Sequence, residues 1–259
     1  MTFRSLVLVP LVLAAGCLIA GAVASDAALP TVLAAEGELA QAAALAGCLA
    51  AALAFESGDY LRRAWAYSGL CYLVLLLQNG IVIGGRLPIP HTLVWSLMLG
   101  GLAILANGAS VAGTWMLARA WRLAGIEDDT AVHRRGWLLF AGTAIVALAV
   151  TGLPLLGDLK ALSRGELASV VDVASDVGDA ICLALVAPVL QTALAMRGGL
   201  LRWPWGLLTA SGVAWIAFDA ASGVAEHPHG LVAEAVRMLA CGLVLAAGLA
   251  QRMAVTPDA

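Results

Sequence analysis

Charged residues are scarce in this chain. They account for 12% of its 259 residues, against about 25% in an ordinary soluble domain. Hydrophobic residues account for 62%, and apolar runs near the length that crosses a bilayer, about 20 residues, recur along the whole chain. The composition therefore excludes a soluble globular protein and predicts an integral membrane protein surrounded by the lipid bilayer.

Basic residues are also few, and lysine is nearly absent. The 14 basic residues are scattered and the net charge is −3, so the chain has no continuous basic surface. Nucleic acid is therefore not expected as a partner. The only lysine, Lys160, falls in a connection between apolar segments. No predicted span carries the amine that a retinal Schiff base requires, so a rhodopsin is not expected.

Motifs of familiar catalytic sites are missing. The sequence contains no HExxH, no GxSxG, no Walker-type glycine loop and no CxxCH. No motif names a cofactor, and a function other than catalysis is favoured. The cysteines all fall inside apolar runs and form no CxxC, so they are expected to be packing residues. They are Cys17, Cys48, Cys71, Cys182 and Cys241.

Eight apolar segments predict the fold. The fold class is all-α, a polytopic transmembrane helix bundle in a single domain of residues 1–259. The spans are approximately 6–24, 39–55, 65–83, 92–117, 137–156, 168–196, 205–224 and 231–253. The first is either a retained span or a signal peptide cleaved after Ala24, which would leave seven. Asp26 to Gly37 and Asp158 to Glu166 are expected to form outer loops.

The basic residues predict the orientation of the bundle. With the amino terminus inside, ten of the fourteen lie at cytoplasmic ends, three lie outside and Arg237 lies within a span. The ten are Arg4, Arg62, Arg63, Arg119, Arg122, Arg134, Arg135, Arg197, Arg202 and Arg252. Because cytoplasmic loops are enriched in Lys and Arg, both termini are expected in the cytoplasm and the protein in a bacterial inner membrane.

Three aspartates stand in the sixth apolar segment. Asp172, Asp176 and Asp179 are spaced i, i+4 and i+7, which places them within one narrow stripe of a helix. An aspartate facing lipid at the bilayer centre costs about 2.5 to 3.5 kcal/mol on an insertion scale. We therefore expect the stripe to face the interior of the bundle or a water-filled cavity.

Further charges follow in the next two segments. Asp219 stands in the seventh, and Glu234 and Arg237 stand in the eighth. Short turns join the sixth, seventh and eighth spans, so these spans are expected to be neighbours. The sequence thus predicts an outward-facing acidic pocket. Its candidate ligand-binding residues are Asp172, Asp176, Asp179, Asp219, Glu234 and Arg237.

The sequence does not determine which ligand occupies this pocket. Carboxylates with Arg237 could orient a small ligand, or the carboxylates could hold a cation or relay protons. His227 and His229 in the last outer turn could bind a transition metal together with an aspartate. In a purely structural interpretation, Glu234 pairs with Arg237 within one helix, or Arg237 neutralises an aspartate.

One stretch carries a family resemblance. An Asp opens an apolar helix, a Gly-rich basic turn follows, and a second Asp closes the next apolar helix. The residues are Asp176, Asp179, Gly198, Gly199, Arg202, Trp205 and Asp219. The stretch resembles the multi-helix sensory region of bacterial membrane signalling proteins, which precedes histidine-kinase or diguanylate-cyclase domains.

The resemblance implies a sensor or receptor-like function. No kinase or cyclase sequence follows in this chain, so the expected sensor signals through a membrane or cytoplasmic partner. Two other functions stay open. The protein could be a transporter or channel component that moves protons or cations, or a structural subunit of a larger membrane complex. The sequence indicates no oligomeric state.

Overall fold

A computed structural model of the chain describes residues 3–84, 93–123, 130–166, 169–195, 199–224 and 230–256. All regular secondary structure in these ranges is helical, which confirms that the fold is all-α. The helices are α1 (Phe3–Leu6), α2 (Leu8–Val23), α3 (Leu29–Ala52), α4 (Tyr60–Gly84), α5 (Leu93–Leu123), α6 (Thr130–Ser163), α7 (Ser169–Ala195), α8 (Arg202–Val224) and α9 (Leu231–Val255).

Helices α2 to α9 coincide in order with the eight apolar segments of the sequence. Within the described ranges, five helices contain a stretch long and apolar enough to cross a bilayer. These stretches are Leu29–Ala52, Leu97–Ala120, Arg134–Gly152, Asp172–Gln191 and Leu231–Val255. Several such helices in one chain are typical of a multi-pass membrane protein.

The helices extend further than the apolar segments predicted. The prediction of an outer loop at Asp26 to Gly37 is wrong for most of its length, because α3 begins at Leu29. Pro30 in its first turn and an Ala-rich sequence both favour a helix there. The loop expected from Asp158 is likewise helical as far as Ser163. Polar residues near the end of a span continue the helix beyond the apolar stretch instead of ending it.

Six helices form a closed ring. Around the ring, α3 packs against α4, α4 against α5, α5 against α7, α7 against α8, α8 against α9, and α9 against α3. Three helices lie outside it: the short α1 contacts α2 and α9, α2 packs against α9, and α6 packs against α7 and α8. Helix α7 therefore takes the place beside α5 that α6, the next helix in sequence, could have occupied.

Small residues allow α3 and α9 to approach closely. Gly47 lies against the backbone of Leu245, and Gly248 lies against the backbone of Gly47, so neither glycine has room for a Cβ. Ala40, Ala44 and Cys48 are almost fully buried in the same core. Close packing through small residues is the usual means by which membrane helices associate.

The two ends of the bundle differ in charge. One end, here called the basic end, carries Arg62, Arg63, Arg119, Arg134, Arg135, Arg202 and Arg252 near the termini of their helices. The opposite end, here called the acidic end, contains the start of α3, α5, α7 and α9 and the end of α4, α6 and α8. Among the described residues, its basic side chains are Lys160, Arg164 and Arg237. The charges are therefore segregated along the helix axes.

Candidate functional site

A cavity of about 540 Å³ lies inside the six-helix ring. Its volume falls within the range of roughly 300 to 1,000 Å³ that small-molecule sites occupy. Every ring helix contributes to its lining, and α6 adds Asp158. The charged and amide side chains of the lining are Gln41, Gln78, Asn79, Asn107, Asp158, Asp172, Asp176, Asp179, Asp219 and Arg237.

The cavity brings together most of the residues predicted from the sequence. Of the six candidates, the four aspartates and Arg237 line it, and Glu234 lies one turn from Arg237 as its ion-pair partner. The predicted neighbours α7, α8 and α9 do pack in that order. His227 and His229 lie outside the described residues.

Helix α7 forms an acidic ladder along one wall. Asp172 is exposed at the acidic end, Asp176 one turn further is only 5% exposed, and Asp179 follows about one turn deeper. The lining continues on this helix to Val186. At about 1.5 Å per residue, the cavity extends roughly 20 Å from Asp172 to Val186. The ladder thus connects an exposed carboxylate with buried ones inside the ring.

Asp179 and Asp219 meet across the interface of α7 and α8. Their carboxyl groups lie within hydrogen-bonding reach of each other. An ionised carboxylate only accepts hydrogen bonds, so a hydrogen bond between the two requires one proton on the pair. While the bond is present, the two residues together carry at most one negative charge.

Two buried carboxylate oxygens in the described part of the cavity are unsatisfied as hydrogen-bond acceptors. Oδ2 of Asp176 and Oδ2 of Asp219 have no hydrogen-bond partner among the described residues. The two residues are 5% and 9% exposed. A buried acceptor without a partner destabilises the protein unless something else binds to it. These oxygens are therefore the strongest sign of a binding site on this wall.

The charges on α9 are arranged differently. Arg237 forms an ion pair with Glu234 one turn earlier on the same helix. Its guanidinium lies against Gly37 of α3, where a Cβ would collide with it. Next to this pair, Cys17 Sγ of α2 donates a hydrogen bond to Glu36 Oε2 of α3 at 3.0 Å. The structural interpretation of the sequence, an internal ion pair on this helix, is confirmed.

Amide side chains cover the wall formed by α3, α4 and α5. Asn79 Nδ2 donates to Gln41 Oε1 at 3.0 Å, and Asn107 Nδ2 donates to the carbonyl of Ala103 at 3.0 Å. Oε1 of Gln78 has no hydrogen-bond partner among the described residues. Polar uncharged groups thus face the acidic ladder.

Aromatic residues complete the lining. Trp215 and Phe218 of α8 pack edge to face, with ring centroids 5.6 Å apart at 87°. Tyr72 of α4 lines the same cavity as Trp215. We call Tyr72, Trp215 and Phe218 the aromatic wall. Trp215 and Asp219 are four residues apart, so their shared helix face was visible in the sequence.

The inner part of the cavity is apolar. Toward the basic end, the last lining residues of α4, α5, α7, α8 and α9 are Trp65, Leu117, Val186, Leu208 and Val244. Leu117, Val186 and Val244 are each at most 5% exposed. We call these five residues the apolar floor, because they separate the polar cavity from the basic end.

Two lining residues, Asp158 and Gln41, were not predicted from the sequence because of the segments in which they lie. Asp158 was assigned to a loop, yet it lies on the extension of α6 at the cavity. Partial burial raises the pKa of Asp158 above its ordinary value. Gln41 is the only amide in an Ala-rich stretch of α3, and that isolation was the available signal.

Metal binding finds no support in the part of the chain that the structure describes. There, no group of three or more His, Cys, Asp or Glu side chains is arranged to hold a metal ion. The aspartates of α7 follow one another along the helix, which spreads them over about two turns.

No family model, curated protein or solved structure matches this chain. The resemblance to bacterial sensory regions therefore stays a prediction, and the cavity is interpreted from its geometry and charge.

Proposed function

We propose that this protein is a bacterial inner-membrane sensor or receptor-like protein with eight spans and cytoplasmic termini. In this proposal, a small cationic ligand or cation binds in the acidic cavity, which faces outward, and binding is signalled to a membrane or cytoplasmic partner. The observation that carries the proposal is the lining itself, because five aspartates share one cavity with a single arginine that already has a carboxylate partner.

The charge of the cavity favours a cation. Asp158, Asp172 and Asp176 contribute carboxyl groups from two helices, and the pair of Asp179 and Asp219 adds a shared one. Arg237 is compensated by Glu234 and offsets none of them. A cleft lined by charges of one sign, with walls of low dielectric constant, concentrates ions of the opposite sign.

The segregation of basic residues supports the orientation. Arginines gather at the basic end, and cytoplasmic ends of membrane proteins are enriched in such residues. The acidic end, where Asp172 is exposed, then faces the outside of the cell.

The apolar floor supports a receptor over a transporter. Cations that enter along the acidic ladder reach Leu117, Val186 and Val244, which offer no oxygen ligand for further passage. The ladder itself also suits stepwise entry of cations, which keeps transport as the alternative. Purified protein in liposomes separates the two: a receptor carries no proton or cation flux under a gradient, whereas sustained flux lost on Asp179→Asn would establish a transporter.

The outward acidic cavity can be tested by cysteine labelling in intact cells. Ser175 lines the cavity beside Asp176. In a background with the five native cysteines replaced by alanine, Ser175→Cys is exposed to a trimethylammonium or a sulfonate methanethiosulfonate reagent. We expect the cationic reagent to react roughly tenfold faster or more, and Asp176→Asn to reduce the ratio.

A matched serine at the other end provides the control. Ser57 is exposed between α3 and α4 at the basic end. The Ser57→Cys variant should react only after the cells are permeabilised. Labelling of Ser57→Cys but not Ser175→Cys in intact cells would reverse the orientation, and equal rates for both reagents at Ser175→Cys would remove the acidic site.

A further inference from the structure

We infer that the ligand class of the cavity is an organic cation, a protonated amine or quaternary ammonium group on a small apolar body, with its charged group beside Asp179 and Asp219 and its body against the aromatic wall. This inference rests on the proposed function and narrows it to one kind of cation. It follows from three features of the cavity: its unsatisfied acceptors, its aromatic residues and its size.

The unsatisfied polar atoms indicate a ligand that donates hydrogen bonds. Among the described residues that line the cavity, the buried acceptors without a hydrogen-bond partner are Asp176 Oδ2, Asp219 Oδ2 and Gln78 Oε1. Two of these acceptors belong to carboxyl groups that are more than nine-tenths buried. Two buried donors of the described lining also have no hydrogen-bond partner. They are Trp65 Nε1, on the apolar floor, and Arg237 Nε, whose side chain is already paired with Glu234. A cationic donor matches this imbalance, and an anion does not.

The aromatic wall lies next to the carboxyl pair. On α8, Trp215, Phe218 and Asp219 are spaced i, i+3 and i+4, so they share one helix face. Tyr72 of α4 lines the same cavity. A cation held at Asp219 is therefore within about one helical turn of an indole ring. Aromatic faces attract such cations, by about 0.5 to 2 kcal/mol.

Size and geometry argue against an inorganic ion as the main ligand. A cavity of about 540 Å³ is far larger than one metal ion with its ligands requires. Within the described ranges, the acidic side chains do not converge in a metal-binding group. An organic cation uses both halves of the cavity, because its charge faces carboxylates while its apolar body faces rings and the apolar floor.

The charge of the carboxyl pair fits a monovalent head group. Two carboxyl groups as close as those of Asp179 and Asp219 do not both ionise, so the two residues together carry at most one negative charge. A single ammonium group neutralises that charge without requiring the pair to separate. Asp176, one turn away on α7, adds a second acceptor on the path from the acidic end.

The test compares charged and neutral probes on the purified full chain. Benzyltrimethylammonium is titrated by calorimetry alongside its neutral carbon isostere neopentylbenzene, tetramethylammonium, and sodium and potassium ions. We expect benzyltrimethylammonium to bind at least about tenfold more tightly than the isostere or tetramethylammonium. This comparison uses the unaltered protein, so it does not depend on how a variant folds.

Variants locate the bound probe. Asp219→Asn and, independently, Asp176→Asn should each weaken benzyltrimethylammonium binding roughly tenfold, and Trp215→Leu should weaken it by roughly threefold to thirtyfold. The controls make the same chemical changes outside the cavity. Asp26→Asn alters an exposed acid at the acidic end, and Trp137→Leu alters an exposed indole on α6. Both controls should bind the probe as the unaltered protein does.

The outcomes separate the inference from the proposed function. If sodium or potassium binds and Asp219→Asn abolishes it, while benzyltrimethylammonium does not bind, the inference is overturned and the acidic receptor stands. Equal binding of the ammonium probe and its neutral isostere, or binding unaffected by Asp219→Asn, Asp176→Asn and Trp215→Leu, also overturns the inference. Absence of binding by every cation overturns both.

Discussion

The charges of α9 and those of α7 and α8 look alike in sequence but differ in the folded protein. Glu234 and Arg237 neutralise each other within one helix. Asp179 and Asp219 instead meet another carboxyl group, with no basic residue between them. The comparison shows that a charge inside an apolar helix is not by itself a sign of function. What matters is whether a partner of opposite sign accompanies it.

Each group has surroundings that fit its role. The α9 pair lies against Gly37, close to the contact of Cys17 with Glu36, where α2, α3 and α9 are packed together. The carboxyl groups of α7 and α8 line an open volume. We therefore expect substitutions to have opposite effects on stability in the two places.

The largest effect is expected from breaking the α9 pair. Arg237→Met removes the basic partner of Glu234, which is 3% exposed. Loss of one member of a buried ion pair costs about 3 to 5 kcal/mol, and reversible unfolding in mixed micelles would measure it. The double variant Glu234→Gln with Arg237→Met should recover most of the loss. A double variant as unstable as Arg237→Met would show that the arginine acts through packing and not through charge.

A smaller change of opposite sign is expected at the carboxyl pair. Asp219→Asn keeps a hydrogen-bond donor toward Asp179 and removes a buried acid that has no cation beside it. We expect the ligand-free protein to be stabilised by about 0.5 to 2 kcal/mol, as binding sites are often kept at a cost in stability. The same unfolding assay would measure this change in stability. Destabilisation by more than the exposed control Asp26→Asn would assign the pair a structural role.

The smallest effect is expected at the contact of α2 with α3. Cys17→Ala removes the thiol that donates to Glu36, and the expected loss is about 0.5 to 1.5 kcal/mol. Cys17→Ser keeps a donor of similar size and should unfold close to the unaltered protein. If serine and alanine were equally destabilising, the cysteine would contribute packing alone.

Local patterns in the sequence predicted one wall of the site. The spacing of Asp172, Asp176 and Asp179 follows from helical periodicity, which depends only on neighbouring residues. Asp219 and Arg237 could be placed at the same depth because short turns connect their helices. The eight helices themselves followed from hydropathy.

The rest of the site depends on contacts that the sequence does not display. Tyr72 reaches the cavity because α4 closes the ring, and α5 packs beside α7 instead of α6. Such choices depend on how helix surfaces fit together over long distances in the chain. Asp158 was missed for another reason, since the extension of α6 carries it to the cavity from a segment that was assigned to a loop.

One measurement addresses the central claim most directly: the position of a heavy-atom ammonium probe in the cavity. Crystals grown with 4-bromobenzyltrimethylammonium would locate the bromine by anomalous scattering. We predict a bromine peak against Trp215 and Phe218, with the trimethylammonium group beside Asp179 and Asp219. A probe found only on the lipid-facing surface or beside Glu234, with these four residues uncontacted, would contradict the account.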